Sequence, residues 1–295
     1  MEKKLHNLHL KIIYGLSFII FIFSSCSSNM VKNRVVNVKY REKSPVEIIK
    51  ISSVNGNIDI IGWSKDFVEI NTEKLLISGF LQDLNLLDTL FEKEDNTLNI
   101  KTKIPARIEG KINLKIYVPF ILLKIYIDSK SGNIGINKYL GDVELTNKNG
   151  NINIIFEGSI LRIDSYKSRI NLYIKSYNST DVVVNNEDGL TDINVETIGK
   201  SSYLDVKSFE SDINIAIFKD IDHKLMLTNK NGTIDVKYNI FEKNTIEGTH
   251  NSISGKKGNG YNNLTIDVSN ENGKINLMLA NERYLKKELN EMPLF

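Results

Sequence analysis

A short polar corner followed by a strand with an apolar residue at every second position recurs along most of this chain. That repeat limits the available folds more than any other feature. Clear copies are Ser131-Gly-Asn-Ile-Gly-Ile136, Asn149-Gly-Asn-Ile-Asn-Ile154, Asn231-Gly-Thr-Ile-Asp-Val236 and Asn272-Gly-Lys-Ile-Asn-Leu277. Weaker ones are Ser168-Arg-Ile-Asn-Leu172, Thr191-Asp-Ile-Asn-Val195 and Ser211-Asp-Ile-Asn-Ile215, and earlier ones stand at Asn55-Gly-Asn-Ile-Asp-Ile60 and Glu109-Gly-Lys-Ile-Asn-Leu114. Aligned on the corner, copies begin at 110, 132, 150, 168, 191, 211, 232 and 273, with steps of 22, 18, 18, 23, 20, 21 and finally 41, two periods. The missing copy is expected near Ser252-Ile253, blurred by the glycine-rich Gly255-Lys-Lys-Gly-Asn-Gly260.

A second alternating strand precedes each corner, as in Asp142-Val-Glu-Leu145, Asp181-Val-Val-Val184 and Leu264-Thr-Ile-Asp-Val268. Asn-Gly between alternating strands is a hairpin signal and would suit an antiparallel meander. A near-constant period with equivalent residues recurring suits a stack of coils instead. Lys167-Ser168 and Glu210-Ser211 lack the Gly or Asn of a tight primed turn, yet the period survives them. The expected fold is therefore all-β: a single-domain β-solenoid (β-helix) with repeats of about 20 residues over 45–280. Ile134, Ile152, Ile170, Ile193, Ile213, Ile234 and Ile275 should form one inward column. Ser129, Asn147, Ser165, Asn185 or Asn186, Ser208, Asn229, Thr249 and Asn270 should form a polar column before the corner, hydrogen-bonded from coil to coil.

Stacked coils expose strand edges at both ends and must cover them. Asn281 is a candidate N-cap, and Leu285, Leu289 and Met292 share one helical stripe, so 281–295 is expected to be a C-terminal capping helix. Between Gly79 and Phe91 the β pattern breaks, and Phe80, Leu84, Leu87 and Phe91 share a helical face. A short packing helix is expected there.

The first 25 residues do not belong to the repeat. Lys3, Lys4 and Lys11 precede an uncharged stretch from Ile12 to Phe23, followed by Ser24-Ser25-Cys26. A basic start, an apolar core and small residues before the cut define a secretory signal, and the run is shorter than the roughly 20 residues of a membrane-spanning helix. Cys26 is the only cysteine, so no intramolecular disulfide can form. Its position after Phe23-Ser24-Ser25 resembles the lipobox of bacterial lipoproteins, with Phe23 in place of the usual Leu. That resemblance implies cleavage before Cys26, lipidation of Cys26, and a tether over 26–44. Two or three acyl chains anchor stably where one does not. Removing the leader takes three bases and one acid from the totals of 38 and 36, which leaves 35 of each. A domain without net charge has no bulk electrostatic reason to bind nucleic acid or anionic lipid.

The segment Val54-Asn-Gly-Asn-Ile-Asp-Ile-Ile-Gly-Trp-Ser-Lys-Asp-Phe-Val-Glu-Ile70 resembles the opening of the bacterial "putative adhesin" domain, a family of unknown function. Asn96-Thr-Leu-Asn-Ile100, Ile116-Tyr-Val-Pro119 and Ile125-Tyr-Ile-Asp-Ser-Lys-Ser-Gly-Asn-Ile134 extend the resemblance over roughly 45–280. It implies stacked β-coils and brings no catalytic motif.

Chemistry has little to work with. His223 and His250 stand on different repeats in polar contexts and are expected to be solvated loop residues, with no metal-ligand spacing. The Gly255–Gly260 run opens no helix after a strand, so it does not cradle phosphate. A carbohydrate-cleaving β-helix would need clustered carboxylates. The strand acids Asp142, Asp164, Asp192, Asp205, Asp212 and Asp235 are the candidates, and alternation sends most of them outward. The reading is a non-enzymatic, lipid-anchored protein of the cell envelope, on the outer membrane, that needs no cofactor. Its flat faces would serve as an interaction surface, an adhesin among the options, for an envelope or host-surface macromolecule. A structural or stress-linked envelope component is the competing class, and a carbohydrate-active enzyme the third.

Overall fold

The computed structural model describes residues 30–120, 122, 124–237, 247–249, 251–258 and 264–292. The leader, Cys26 and His250 lie outside these residues. Strands β1 (Met30–Glu42), β2 (Ile48–Ser53), β3 (Ile58–Trp63) and β4 (Val68–Phe80) lead into a 3-10 turn, Leu81–Leu86. Next come β5 (Asp88–Glu94), β6 (Thr97–Lys103), β7 (Glu109–Pro119), β8 (Lys124–Ser129), β9 (Ile134–Tyr139), β10 (Asp142–Asn149) and β11 (Ile152–Phe156). Three long strands follow: β12 (Ile160–Lys175), β13 (Asp181–Thr197) and β14 (Ser202–Phe218). The chain closes with β15 (His223–Asn229), β16 (Thr233–Val236), β17 (Glu247–Thr249), β18 (Ser252–Lys257), β19 (Leu264–Asn272), β20 (Lys274–Ala280) and helix α1 (Glu282–Glu291). The protein is all-β, with one sheet curled into a half-barrel.

Two parallel ladders run through that sheet. The first is ordered β6–β2–β8–β10–β12–β13–β14–β19–β15, and the second β7–β3–β9–β11–β12–β13–β14–β20–β16. Each long strand gives its first half to one ladder and its second half to the other. Parallel strands buried on one face read as alternating Ile, Val and Leu, because β-branched side chains pack well on the pleat. One row of cross-strand partners runs Leu98, Ile49, Ile125, Val143, Leu161, Val182, Leu204, Ile266 and Leu225, and every member is buried.

The stacking order differs from chain order at both ends. The pair β6 and β7 lies outside β2 and β3, and β19 and β20 lie between β14 and the pair β15 and β16. Periodicity reports the unit but not its place in the stack, since any two units present equivalent edges. The copy expected near Ser252-Ile253 is not a further parallel coil. There β18 pairs antiparallel with β15, as Leu227 opposite Ile253, and covers that edge.

The register also corrects one member of the inward column. Partners run Ile58, Ile134, Ile152, Ile170, Thr191, Ile213, Ile275 and Ile234, so Thr191 holds the place expected of Ile193. Ile193 sits two residues further along the same face, opposite Leu172 and Ile215. The corner of this coil is Gly189 at φ +136°, where an added Cβ would come within 2.1 Å of the Ser168 carbonyl oxygen. Thr191 is fully buried, and its Oγ1 accepts from Asn186 Nδ2 at 3.1 Å.

The polar column is present as Ser53, Ser129, Asn147, Ser165, Asn186, Ser208, Asn270 and Asn229. Its amides donate to corner carbonyls next to adjacent strands rather than to one another. Asn186 reaches Ser168 O at 3.0 Å, Asn270 reaches Ser211 O at 2.7 Å, and Asn229 reaches Gly273 O at 2.9 Å. Corner carbonyls point inward, where water cannot serve them, so these amides meet a need that would otherwise cost about 1–3 kcal/mol each.

The ends depart from expectation too. Residues 30–42, expected to belong to the tether, form β1, which pairs antiparallel with β4, itself antiparallel to β7. The expected insert helix is only a 3-10 turn, with Leu84 and Leu87 buried, while Phe91 lies in β5 and stacks on Tyr40 at 4.3 Å. Asn281 does cap α1, accepting from Tyr284 N at 2.8 Å. Leu285 is fully buried against Tyr173, Ala216 and Ala280, with Leu289 and Met292 beside it. Those residues lie on β12, β14 and β20, so α1 lies across the flank of the stack and covers no end. The small Ala216 and Ala280 let it approach.

Candidate functional site

The outward side of the first ladder is concave. An open groove of about 1010 Å³ runs over β6, β2, β8, β10 and β12, with β5 as a side wall. The wall exists because Glu94 pairs with Thr97 around Asp95 and Asn96, a two-residue turn with Asp95 at φ +50°. Such turns match the twist of the flanking strands. β5 therefore folds back along β6 and brings Leu90 and Glu92 over the groove. This corrects the expectation that both faces would be flat.

In-register outward positions on successive strands of the ladder make two rows. One reads Asn99, Lys50, Tyr126, Glu144 and Arg162, and the other Lys101, Ser52, Asp128, Thr146 and Asp164. Both mix charged and neutral side chains at strand spacing, about 4.8 Å. Tyr126 lies between two ammonium groups, with Lys124 Nζ 4.7 Å and Lys50 Nζ 6.0 Å from its ring centre. Lys124 also pairs with Glu144 at 2.7 Å, a hydrogen bond that holds its ammonium above the usual lysine range. Arg162 reaches Asp181 at 3.2 Å. The floor is held rigid by the buried row beneath it, while the rim is mixed in charge.

Each of the six strand acids has a partner of its own. Asp164 accepts from Asn185 at 2.7 Å, Asp192 from Asn214 at 2.7 Å, and Asp142 from Ile160 N at 3.1 Å. Asp212 accepts from Lys274 N at 2.8 Å, and Asp235 lies 3.8 Å from Lys237. Asp205 is buried rather than outward-exposed, and pairs with Lys207 at 2.7 Å. His223 is likewise no solvated loop residue. It is 1% exposed on β15, with Nδ1 2.9 Å from Ile221 O, and burial lowers its pKa. Among the described residues no group of three or more His, Cys, Asp or Glu side chains converges as a metal site would.

On the second ladder neighbouring amides pair across strands. Asn171 donates to Asn153 at 2.6 Å, and Asn276 to Asn214 at 2.7 Å. Asp59 lies in the same row, and burial pushes its carboxyl up to about 6 against the opposing pull of Lys115. Lys50, Tyr126, Glu144 and Arg162 were not singled out in the sequence. Aligning Ile49-Lys50-Ile51, Ile125-Tyr126-Ile127, Val143-Glu144-Leu145 and Leu161-Arg162-Ile163 would have placed them in one row. Cys26, the one modification site expected from the sequence, lies outside the described residues.

No family model matches the chain, and no curated protein does. Solved structures do. A "putative cell adhesion protein" from Clostridium sporogenes is 11% identical, covers 84% of this chain and all of its own, and has a TM-score of 0.40. A "putative adhesin" from Bacteroides fragilis is 13% identical over 83% of this chain and 97% of its own, at 0.35. A "putative lipid binding protein" from Parabacteroides distasonis is 12% identical over 83% and 96%, at 0.30.

Proposed function

We propose that this protein is a lipid-anchored component of the bacterial envelope whose β-solenoid is a non-enzymatic interaction surface of the adhesin type. The leader 1–25 is removed, Cys26 carries the acyl chains, and the domain is held at the outer membrane. Its receptor face is the groove of the first ladder, and its partner is an envelope or host-surface macromolecule bound along the rows around Tyr126. The observation that carries this reading is the groove itself. It is an open groove of about 1010 Å³ with a mixed-charge lining on in-register strands. Stacked coils are rigid along their axis, so such a surface binds without first being ordered.

The test presents the mature protein, and its Tyr126→Ala and Glu144→Lys variants, to envelope proteins, host-surface proteins and polysaccharides. Binding that weakens at least roughly tenfold in both variants supports the reading, a loss typical of a buried interface aromatic or charge. Turnover of any glycan, lost when two strand aspartates are changed, would establish an enzyme instead. No binding, together with protection of the domain from protease on intact cells, would establish a structural role. Mass analysis of the N-terminal peptide tests the anchor separately, since an unmodified Cys26 ends the lipoprotein reading.

A further inference from the structure

The 3-10 turn Leu81–Leu86 carries large apolar side chains on the side that folding does not use. Leu84 and Leu87 face the core, yet Phe80, Leu81 and Leu86 are 43%, 55% and 41% exposed. The turn is built as one unit. Asp83 Oδ2 accepts from Phe80 N at 2.8 Å, and Leu87 N donates to Leu84 O at 3.3 Å. Three large exposed apolar side chains on one short turn mark an interaction site more than scattered single residues do.

Its place identifies the partner. Phe80 pairs with Met30, the first residue of β1, and Met30 follows Cys26 by four residues. Four residues span at most roughly 14 Å. Acyl chains on Cys26, on the anchor reading given above, would keep the start of this turn, one strand spacing further on, within about 20 Å of the bilayer. We propose that Phe80, Leu81 and Leu86 enter the membrane interface and set the orientation of the stack on it. The contact is apolar rather than ionic. Within the turn itself the only charged side chain is Asp83, which accepts from Phe80 N, so the turn offers no cation to anionic lipid.

The experiment uses the full mature protein on vesicles of phosphatidylcholine, with and without phosphatidylglycerol. Leu81→Trp reports on the turn, and Met226→Trp on an exposed position of β15 near the opposite end of the stack. Wild type supplies the Trp63 background. The proposal predicts a shift of Leu81→Trp emission to shorter wavelength and added quenching by brominated lipid, equal on both vesicle types, with neither change for Met226→Trp. Quenching no greater than wild type, equal quenching at both positions, or quenching only with phosphatidylglycerol overturns it. Mass analysis of the same sample separates the two readings. An acylated protein without quenching refutes the contact alone, and an unacylated protein that is still quenched refutes the anchor alone. An unacylated and unquenched protein refutes both.

Discussion

Replacing Ile152 with alanine puts the stacked register to a quantitative test. Ile152 is fully buried at the centre of the second ladder, opposite Ile134 on one side and Ile170 on the other. The substitution removes three carbons, which at about 0.8 kcal/mol each is a transfer loss of about 2.5 kcal/mol. The neighbouring columns are held by backbone hydrogen bonds on both sides and cannot collapse into the gap, which brings the total to about 3–4 kcal/mol. Asn151, exposed and one residue away, is the control, and Asn151→Ala should change stability by less than about 0.5 kcal/mol. Asn153 would not serve, because it is only 3% exposed and accepts from Asn171. Urea unfolding followed by circular dichroism gives the difference. Hydrogen exchange should show the loss of protection concentrated in β9, β11 and β12, since β11 pairs with β9 and β12. A loss at Ile152 below about 1 kcal/mol, or one matched at Asn151, would contradict the buried column.

Two titrating groups should respond to pH with opposite signs. The raised pKa of Asp59, from 3.8 to about 6, means that the native state holds its proton more tightly, so this group's contribution to stability rises as pH falls through that window. Asp59→Asn should remove that slope and stabilise the protein at pH 7.5 by about 1–3 kcal/mol, read from thermal unfolding across pH. His223 works the other way. Its native pKa lies below 6.5, so the unfolded chain takes up the proton first and stability falls as pH drops through 6.5. His223→Gln should weaken that fall, and an unchanged profile would show that His223 is not buried neutral. Asn281→Ala should cost about 1 kcal/mol and loosen α1, read as faster hydrogen exchange at Leu285 with little change at Ile152.

Alternation was the readable signal, because burying one face of a strand leaves a period of two that no other structure imitates. It located the inward columns and the row of polar residues before the corner. It placed the coil containing Thr191 two residues out, because Asp188-Gly189 and Thr191-Asp192 are both plausible corners and only the close approach of Gly189 to Ser168 selects the first. Stacking order was not legible at all, since β6 with β7, and β19 with β20, present edges equivalent to those of any other coil. The groove depends on that order, as β5 can form a wall only because β6 ends the ladder. The stripe of Leu285, Leu289 and Met292 predicted a helix correctly, but whether it covered an end or a flank depended on Ala216 and Ala280, which alternation treats as ordinary strand residues.

Site-specific photo-crosslinking on intact cells tests the central claim, that the groove is the interaction surface, most directly. A benzophenone amino acid at Tyr126 lies on the groove floor, and the same group at Lys148, exposed beyond it on β10, serves as the control. Covalent adducts to a macromolecule at Tyr126 and none at Lys148 are the predicted result. Adducts at both positions alike, or at Lys148 alone, would contradict it.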